Sequence, residues 1–441
     1  MQVDELREAL AEKASATRID AASARAAISR RVRLHRLRQG GFLVVLVAAL
    51  TVVVVLVWPG STPNPTIASS SPLALQGLPG SPSAVSFSTR EHGVGLTTTC
   101  AVGATTDPVC DIGVLSSSDA GRSWTLIGAL RHIVYVGWRG YPFIYLAARG
   151  TDVWIYGTRT FESHDGGRTL RPSRLKGLVL AMAPRTRDVW ATTRPCPPSQ
   201  GCATKLMTRR LGEPNWRPLP IPASFTDPYP RLLRPTDRVG YLAGEDTPFP
   251  LYRTMDAGQT WHELSAPHSI GPVSLAASGS QHVWVLAAGR ESPVPAPAGS
   301  PPTTGQQKTL FSSSDGGRHF TLIATSSATR NGPPAPAGTG AGQLGFDGLV
   351  IPDSLAAPSP EHLWILSALS STPLTGSTDG GLTWHPARLD YTGSFAASSR
   401  TLPEGTFDFL DPQHGWLAGS AQPNILFKTT DGTTWVVEPS P

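Results

Sequence analysis

The sequence predicts an all-β chain built as a seven-bladed β-propeller, preceded by an N-terminal helical tail and one transmembrane helix. Three observations predict it. One short stretch, Ser117-Ser118-Asp119-Ala120-Gly121-Arg122-Ser123-Trp124, is rewritten around Asp165, Asp256, Asp315, Asp379 and Asp431, the last copy one residue short. A decayed copy, Thr208 to Trp216, carries Arg210 in the aspartate's place and one inserted residue. A second repeat precedes each of these: His92-Gly93-Val94, Asp152-Val153-Trp154, Asp188-Val189-Trp190, Arg238-Val239-Gly240-Tyr241, His282-Val283-Trp284, His362-Leu363-Trp364 and His414-Gly415-Trp416. Finally, 44 Gly and 42 Pro in 441 residues with 16% charged residues make a turn-rich, strand-rich chain long enough to bury a core.

Each copy of the first repeat sits between short apolar runs, which is a hairpin signature. The Asp and the Ser or Thr two residues earlier can accept hydrogen bonds from backbone N–H groups just ahead. The Gly tolerates φ > 0, and the aromatic that follows packs beneath the turn. The spacing averages about 52 residues, close to one four-stranded blade. Seven copies of each repeat, matched one to one, favour seven blades over six or eight. The pattern resembles the Asp-box, or BNR, repeat of the sialidase-like propellers. That resemblance implies that Asp119, Asp165, Asp256, Asp315, Asp379 and Asp431 are structural, in turns on the face opposite the ligand site. The recurring His92, His282, His362 and His414 start equivalent strands of different blades, which favours packing or turn roles over a metal site.

Residues 1–40 are a basic, helical tail. Val3, Leu6 and Leu10 suggest one short helix, and Asp20 can cap another through Ala21–Arg38. The whole chain is +5, nearly all of it from this tail. The propeller therefore gives no charge-based reason to expect nucleic acid. Phe42 to Trp58 is uncharged and apolar, about 25 Å long as a helix, so 41–58 reads as a single span. Arg30, Arg31, Arg33, Arg36 and Arg38 precede it, which sets the N-terminus in the cytoplasm. A cleaved signal peptide fits less well, because forty residues is too long for its basic region. Residues 59–80 form a Pro/Ser-rich linker, and 81–441 the propeller.

The four cysteines fall as two local pairs, Cys100 with Cys110 and Cys196 with Cys202, in the equivalent loop of two blades. They read as disulfides in an oxidising compartment, in agreement with the arginine-derived topology. Neither pair has the Cys-x₂-Cys spacing of a zinc site. Segments 290–307 and 326–345 read as Pro-rich loop insertions on the same face as the cysteine loops. Arg131, Arg139, Tyr141, Tyr229, Arg231 and Arg234 are placed by loop position on a tentative binding face.

No nucleophile elbow, zinc-protease motif or phosphate loop occurs, and no cofactor or metal is expected. The Phe-Arg-Ile-Pro motif of sialidases is missing. A glycosidase would need two converging carboxylates; Glu245, Asp246, Asp227, Asp353 and Glu404 are available loop acids, and nothing marks a pair. The repeat also resembles that of non-enzymatic propellers, including the photosystem II assembly factor family and sorting-receptor ectodomains. Tail, span and spacer look like those of actinobacterial envelope proteins. The leading expectation is a membrane-anchored extracytoplasmic propeller that binds an envelope protein or glycan without catalysis. The alternatives are a sialidase-like or other glycoside hydrolase, and a transmembrane sensor with a cytoplasmic partner for residues 1–40.

Overall fold

The computed structural model describes residues 82–101, 109–134, 144–196, 202–227, 230–244, 249–267, 273–294, 303–326, 354–366, 374–390, 406–419 and 425–438. All lie in one of two compact units of the chain, Pro65–Pro441. The tail, the 41–58 segment and the 59–80 linker fall outside the described residues. Among the described residues no helix is long and apolar enough to cross a membrane.

Seven antiparallel sheets follow one another in sequence: 84–134, 144–172, 178–219, 231–263, 273–326, 354–386 and 406–438. We call them blades 1 to 7. Within each, four strands pair in chain order, and the first strands of neighbouring blades lie side by side around the ring. One extra strand, Arg388–Asp390, leaves blade 6 and pairs parallel with Thr434–Glu438, the last strand of blade 7. The chain therefore makes a seven-bladed β-propeller.

The aspartate turns join third to fourth strands. In blade 4 the Thr254 hydroxyl donates to Asp256 Oδ1 at 2.8 Å, and its oxygen accepts the Gly258 N–H at 2.9 Å. The Asp256 carboxylate then takes the N–H groups of Gln259 and Thr260 and the Thr260 hydroxyl, at 3.0, 2.9 and 2.6 Å. Ser117, Ser163, Ser313, Ser377 and Thr429 hold their turns in the same manner. Gly258 needs its φ of 83°, a value L side chains resist.

The second repeat interlocks with the first. In three blades the aromatic of the second strand reaches the neighbouring blade and donates to the carbonyl just after that blade's turn aspartate, whereas Trp190 donates to Asp188 of its own blade at 3.2 Å. Trp416 Nε1 donates to Ala120 O at 3.0 Å, Trp284 Nε1 to Gly380 O at 3.4 Å, and the Tyr241 hydroxyl to Gly316 O at 3.3 Å. These aromatics are at most 2% exposed and anchor apolar clusters between blades. Burial also pushes the Tyr241 hydroxyl up to about 12. Where the next turn departs from the pattern, in blades 3 and 7, the buried Trp154 and Trp364 indoles find no protein acceptor.

Blade 3 corrects the sequence alignment. In the six other blades the turn Ser or Thr pairs with the residue just before the repeat's aromatic position, as Ser163 does with Val153 and Ser377 with Leu363. In blade 3 the residue facing Val189 is Arg209, with Thr208 facing Trp190 and Arg210 facing Asp188. Arg209 thus takes the buried hydroxyl's slot, and Arg210 is exposed. The Arg209 guanidinium is fully buried, 5.8 Å from the Trp154 ring and 5.1 Å from that of Trp216. It donates to Glu162 Oε2 of blade 2 at 2.6 Å. A buried ion pair across two blades stands where a self-contained turn stands elsewhere.

Among the described residues blades 7 and 1 share no strand: blade 1 has four of its own, and blade 7 four plus Arg388–Asp390. Side chains cross this junction. Phe87 of blade 1 stacks on Trp416 of blade 7 with 3.6 Å between ring centroids, and both belong to one buried cluster with Val85, Ala120, Ala418 and Leu426. The Phe87 N–H donates to the Asp408 carboxylate of blade 7, and Arg90 pairs with Asp411 at 3.2 Å on the surface.

Candidate functional site

Because every blade has four strands in order, the connections separate onto two faces. Turns between first and second strands, and the aspartate turns, lie on one face. Hairpins between second and third strands, and the links between blades, lie on the other, which we call the loop face.

Outside blade 3 the aspartate turns of the turn face are alike, each holding its own carboxylate. Hydrogen bonds from the Ser123 hydroxyl and N–H hold Asp119 at about 2. For Asp165, Asp256 and Asp431 partial burial opposes the shift, yet the bonds from the turn's hydroxyls and N–H groups win and leave each at about 2. Asp379 and Asp315 are lowered in the same direction. The first turns of several blades share a cap that sequence reading missed. Thr89, Ser359 and Asp411 each accept the N–H groups two and three residues on. The histidine three residues on bonds back to the same side chain: His92 to Thr89 at 3.2 Å, His362 to Ser359 at 2.9 Å and His414 to Asp411 at 2.8 Å. His282 instead stacks on Trp284, with 6.0 Å between centroids. These are turn and packing roles, and the signal was readable as Ser/Thr/Asp-x-x-His.

The loop face is irregular. In blade 3 the Cys196–Cys202 disulfide closes the hairpin, with 6.0 Å between Cα atoms. In blade 1 Cys110 is disulfide-bonded, and the residue facing it across the ladder is Cys100. In blade 5 the expected loop insertion at 290–307 is largely strand: His282–Val294 pairs with Thr303–Ser313 up to Val294 opposite Thr303. The first strand pairs up to Val273 opposite Ala287 and the fourth up to Ser326 opposite Lys308, so a two-stranded arm continues beyond the four-stranded sheet for about 20 Å at ~3.3 Å per residue. Alternation and β-branched content are low there, which is why the sequence reads as loop. Of the expected insertion 326–345, residues 327–345 lie outside the described residues.

The residues assigned to a binding face separate. Arg131, near the end of blade 1, donates to Asp111 Oδ2 at 2.8 Å, and the N–H of His132 takes Oδ1 at 2.8 Å. The ladder slips at this point, and His132 adopts a φ of 54°, a strained value for a non-glycine. Burial works against the Asp111 carboxylate, but these partners hold it below its usual range. Arg231 begins the first strand of blade 4, also at the loop face, but in a blade three places from Arg131. Arg234 does not reach this face. It ends at the turn face, 5% exposed, 4.0 Å over the Trp190 ring and 2.9 Å from Asp188 Oδ1. The reason is the short three-residue strand Arg231–Leu233, which carries the chain across the sheet before Arg234. Arg139, Tyr141 and Tyr229 lie outside the described residues.

Of the five loop acids, Glu245, Asp246, Asp353 and Glu404 lie outside the described residues. Asp227 is 1% exposed, and its carbonyl accepts the Thr204 hydroxyl at 3.0 Å. It is built into the junction of blades 3 and 4 rather than offered to a substrate. Sequence reading also missed Arg194, at the loop end of the second strand of blade 3. It is 2% exposed and donates Nη2 to Cys202 O at 2.5 Å, so it pins the disulfide loop. Its Nε and Nη1 have no protein partner among the described residues. Its position two residues before Cys196 was the available signal. Among the described residues no group of His, Cys, Asp and Glu has the arrangement of a metal site.

No protein-family model matches this chain, and no curated protein matches it. Among solved structures the chain is similar to YCF48 bound to a D1 peptide, with 17% identity, 63% of this chain and 88% of that one covered, and a TM-score of 0.34. It is similar to a GH74 enzyme of Niastella koreensis, with 14% identity, 79% and 67% covered, and a TM-score of 0.35. The β-propeller domain of the Trilobed protease from Pyrococcus furiosus, with an open velcro topology, matches at 8% identity, 80% and 95% covered, and a TM-score of 0.43. Likenesses at this level carry no argument about activity or partner, and the fold rests on the seven sheets themselves.

Proposed function

We propose that this chain is a membrane-anchored, extracytoplasmic propeller whose loop face binds an envelope protein or glycan without chemistry. The observation that carries the reading is the asymmetry of the two faces. Six of the seven blades repeat one aspartate turn on the turn face, whereas the loop face holds the Cys196–Cys202 hairpin, the bonded Cys110 and the blade 5 arm. Rigid scaffolds with variable loops on one side are the usual arrangement for recognition. The apolar 42–58 segment with its preceding arginines supports the anchor and its orientation, and the disulfides support an oxidising compartment.

The test is site-specific photocrosslinking of the full-length chain in its native membrane. Probes at Glu291 and Thr304 on the arm are compared with probes at Arg122 and Gln259 on the turn face. A discrete partner captured from the arm and not from the turns is the expected result. Capture from the turn face alone would overturn the assignment of the face. A hydrolysed envelope glycan, lost on replacing Glu245 or Asp246, would replace the non-catalytic reading with the glycosidase one.

A further inference from the structure

Charge is spread unevenly round the ring. Residues 81–441 carry a net charge of only +1, because residues 1–40 hold +4 of the chain's +5. Residues 144–219, which are blades 2 and 3 with the link between them, nevertheless hold thirteen Lys and Arg against five Asp and Glu, a net +8. The remainder of 81–441 is therefore −7. Ten of the thirteen bases are exposed, and of the five acids only Glu213 is. The other four acids are engaged within the fold: Glu162 by Arg209, Asp188 by Arg234, Asp152 by His164, and Asp165 by its own turn. Crowding like charges onto two blades costs self-repulsion, which a polyanion would offset. Arg171 and Arg217 hold equivalent places in fourth strands, the outermost of each blade. They pair opposite Glu162 and Thr208, each just before the buried residue of its turn. The same place is Thr125, His262, Thr321, His385 and Val436 in the other blades, so the blade design does not call for arginine there. Arg168 and Arg210 stand beside this pair at the turn face, and Arg174 and Lys176 follow in the link that returns toward the loop face. Arg174 donates to Asn215 Oδ1 at 2.8 Å and so bridges the two blades along the rim.

We propose that the outer rim of blades 2 and 3 is a binding strip for a polyanionic glycan, a chain bearing carboxylate or phosphate groups. This rests on the reading that the propeller faces the envelope, and it adds a second surface to the loop face. Eight of the ten exposed bases are Arg, whose planar fork grips a carboxylate or phosphate with two parallel hydrogen bonds. The strip suits a flexible polymer better than a protein or a bilayer. Among the described residues the exposed large apolar side chains are Val109, Met255, Leu322, Leu382 and Val436, none of them in blade 2 or 3. The strip therefore offers no apolar anchor for a protein interface and none for insertion into lipid. It also crosses the convex edge of the disc, where a flat membrane reaches fewer of the charges than a chain that bends round them.

The experiment measures binding by the full-length chain, held in phosphatidylcholine nanodiscs, to labelled polygalacturonate, phosphorylated dextran, unmodified dextran and phosphatidylglycerol vesicles. One variant joins Arg171→Gln, Arg210→Gln and Arg217→Gln. A control joins Arg122→Gln, Arg318→Gln and Arg388→Gln, all exposed and outside blades 2 and 3, with the same change of net charge. The two polyanions should bind the wild type and unmodified dextran should not. The strip variant should lose at least about tenfold in affinity, and its slope of log affinity against log salt should fall by about 2. The control should stay within about twofold of wild type. Equal losses in the two variants would reveal a general charge effect and overturn the strip. So would a strip variant that binds as the wild type does, a wild type that binds neither polyanion, or binding to the vesicles alone. Sidedness is a separate readout: protease accessibility in intact cells decides the envelope reading, and binding by the purified chain decides the strip.

Discussion

Replacing Arg209 tests how blade 3 survives without an aspartate turn. The Arg209 side chain is wholly buried and its partner Glu162 is 11% exposed, with 2.6 Å between Nη1 and Oε2. Glu162 has one other bond, from the Ser173 hydroxyl at 3.0 Å. In Arg209→Met the aliphatic stem is kept, but the carboxylate loses its counterion and the Trp154 and Trp216 rings lose a cation. Breaking a buried pair from one side costs about 3–5 kcal/mol, and two cation–π contacts add about 1 kcal/mol together at these distances. The single substitution should therefore cost roughly 4 kcal/mol. In Arg209→Met with Glu162→Gln no charge is left unpaired, and the cost should fall to about 1 kcal/mol. The assay is urea unfolding of the full-length chain in detergent, followed by tryptophan fluorescence, for both single variants and the pair. A coupling energy of at least about 3 kcal/mol is expected from contacting, desolvated partners. Additive single effects, or an Arg209→Met that unfolds within about 1 kcal/mol of wild type, would refute the claim that this pair replaces the missing turn.

Three further outcomes follow from the turns and staples. Trp416→Phe removes the bond to Ala120 O, whereas Trp154→Phe removes an indole N–H that has no acceptor; urea midpoints should show the first costing about 1 kcal/mol more than the second. The turn aspartates have folded values near 2 against 3.8 when unfolded, so their stabilisation is present above about pH 4 and lost as pH falls through about 2. Acid titration by circular dichroism should show that loss, and Asp256→Asn should make it shallower; an unchanged acid limb would count against the hydrogen-bond cause. Removing Cys196–Cys202 with paired alanines should cost about 2 kcal/mol, as expected for so short a closed loop, and a thiol assay on the unreduced, denatured chain should find no free cysteine.

The aspartate turns were legible because each closes on itself: Asp119 finds its partners at Ser117 and Ser123, two and four residues away. The aromatic repeat was legible as a pattern, but its purpose was not, since Trp416 meets Ala120 across 296 positions. The same limit explains the misplaced residues. Arg234 reads as a loop arginine, yet a three-residue strand delivers it to Trp190 and Asp188 of the preceding blade. Thr208 to Trp216 reads as a poor copy of a turn until Glu162, 47 positions earlier, is set against Arg209. Residues of the loop face obey no repeat at all. Arg194 differs from the arginines around it only because the Cys202 carbonyl and the walls of the blade enclose it. Asp119 and Asp408 put the point most sharply. They are the same residue in adjoining blades of one ring, and one is held at about 2 while the other is raised to about 7. The first is set by neighbours in its own turn. The second is raised by desolvation, against the pull of the Phe87 N–H 321 positions away, which only the closed ring brings beside it.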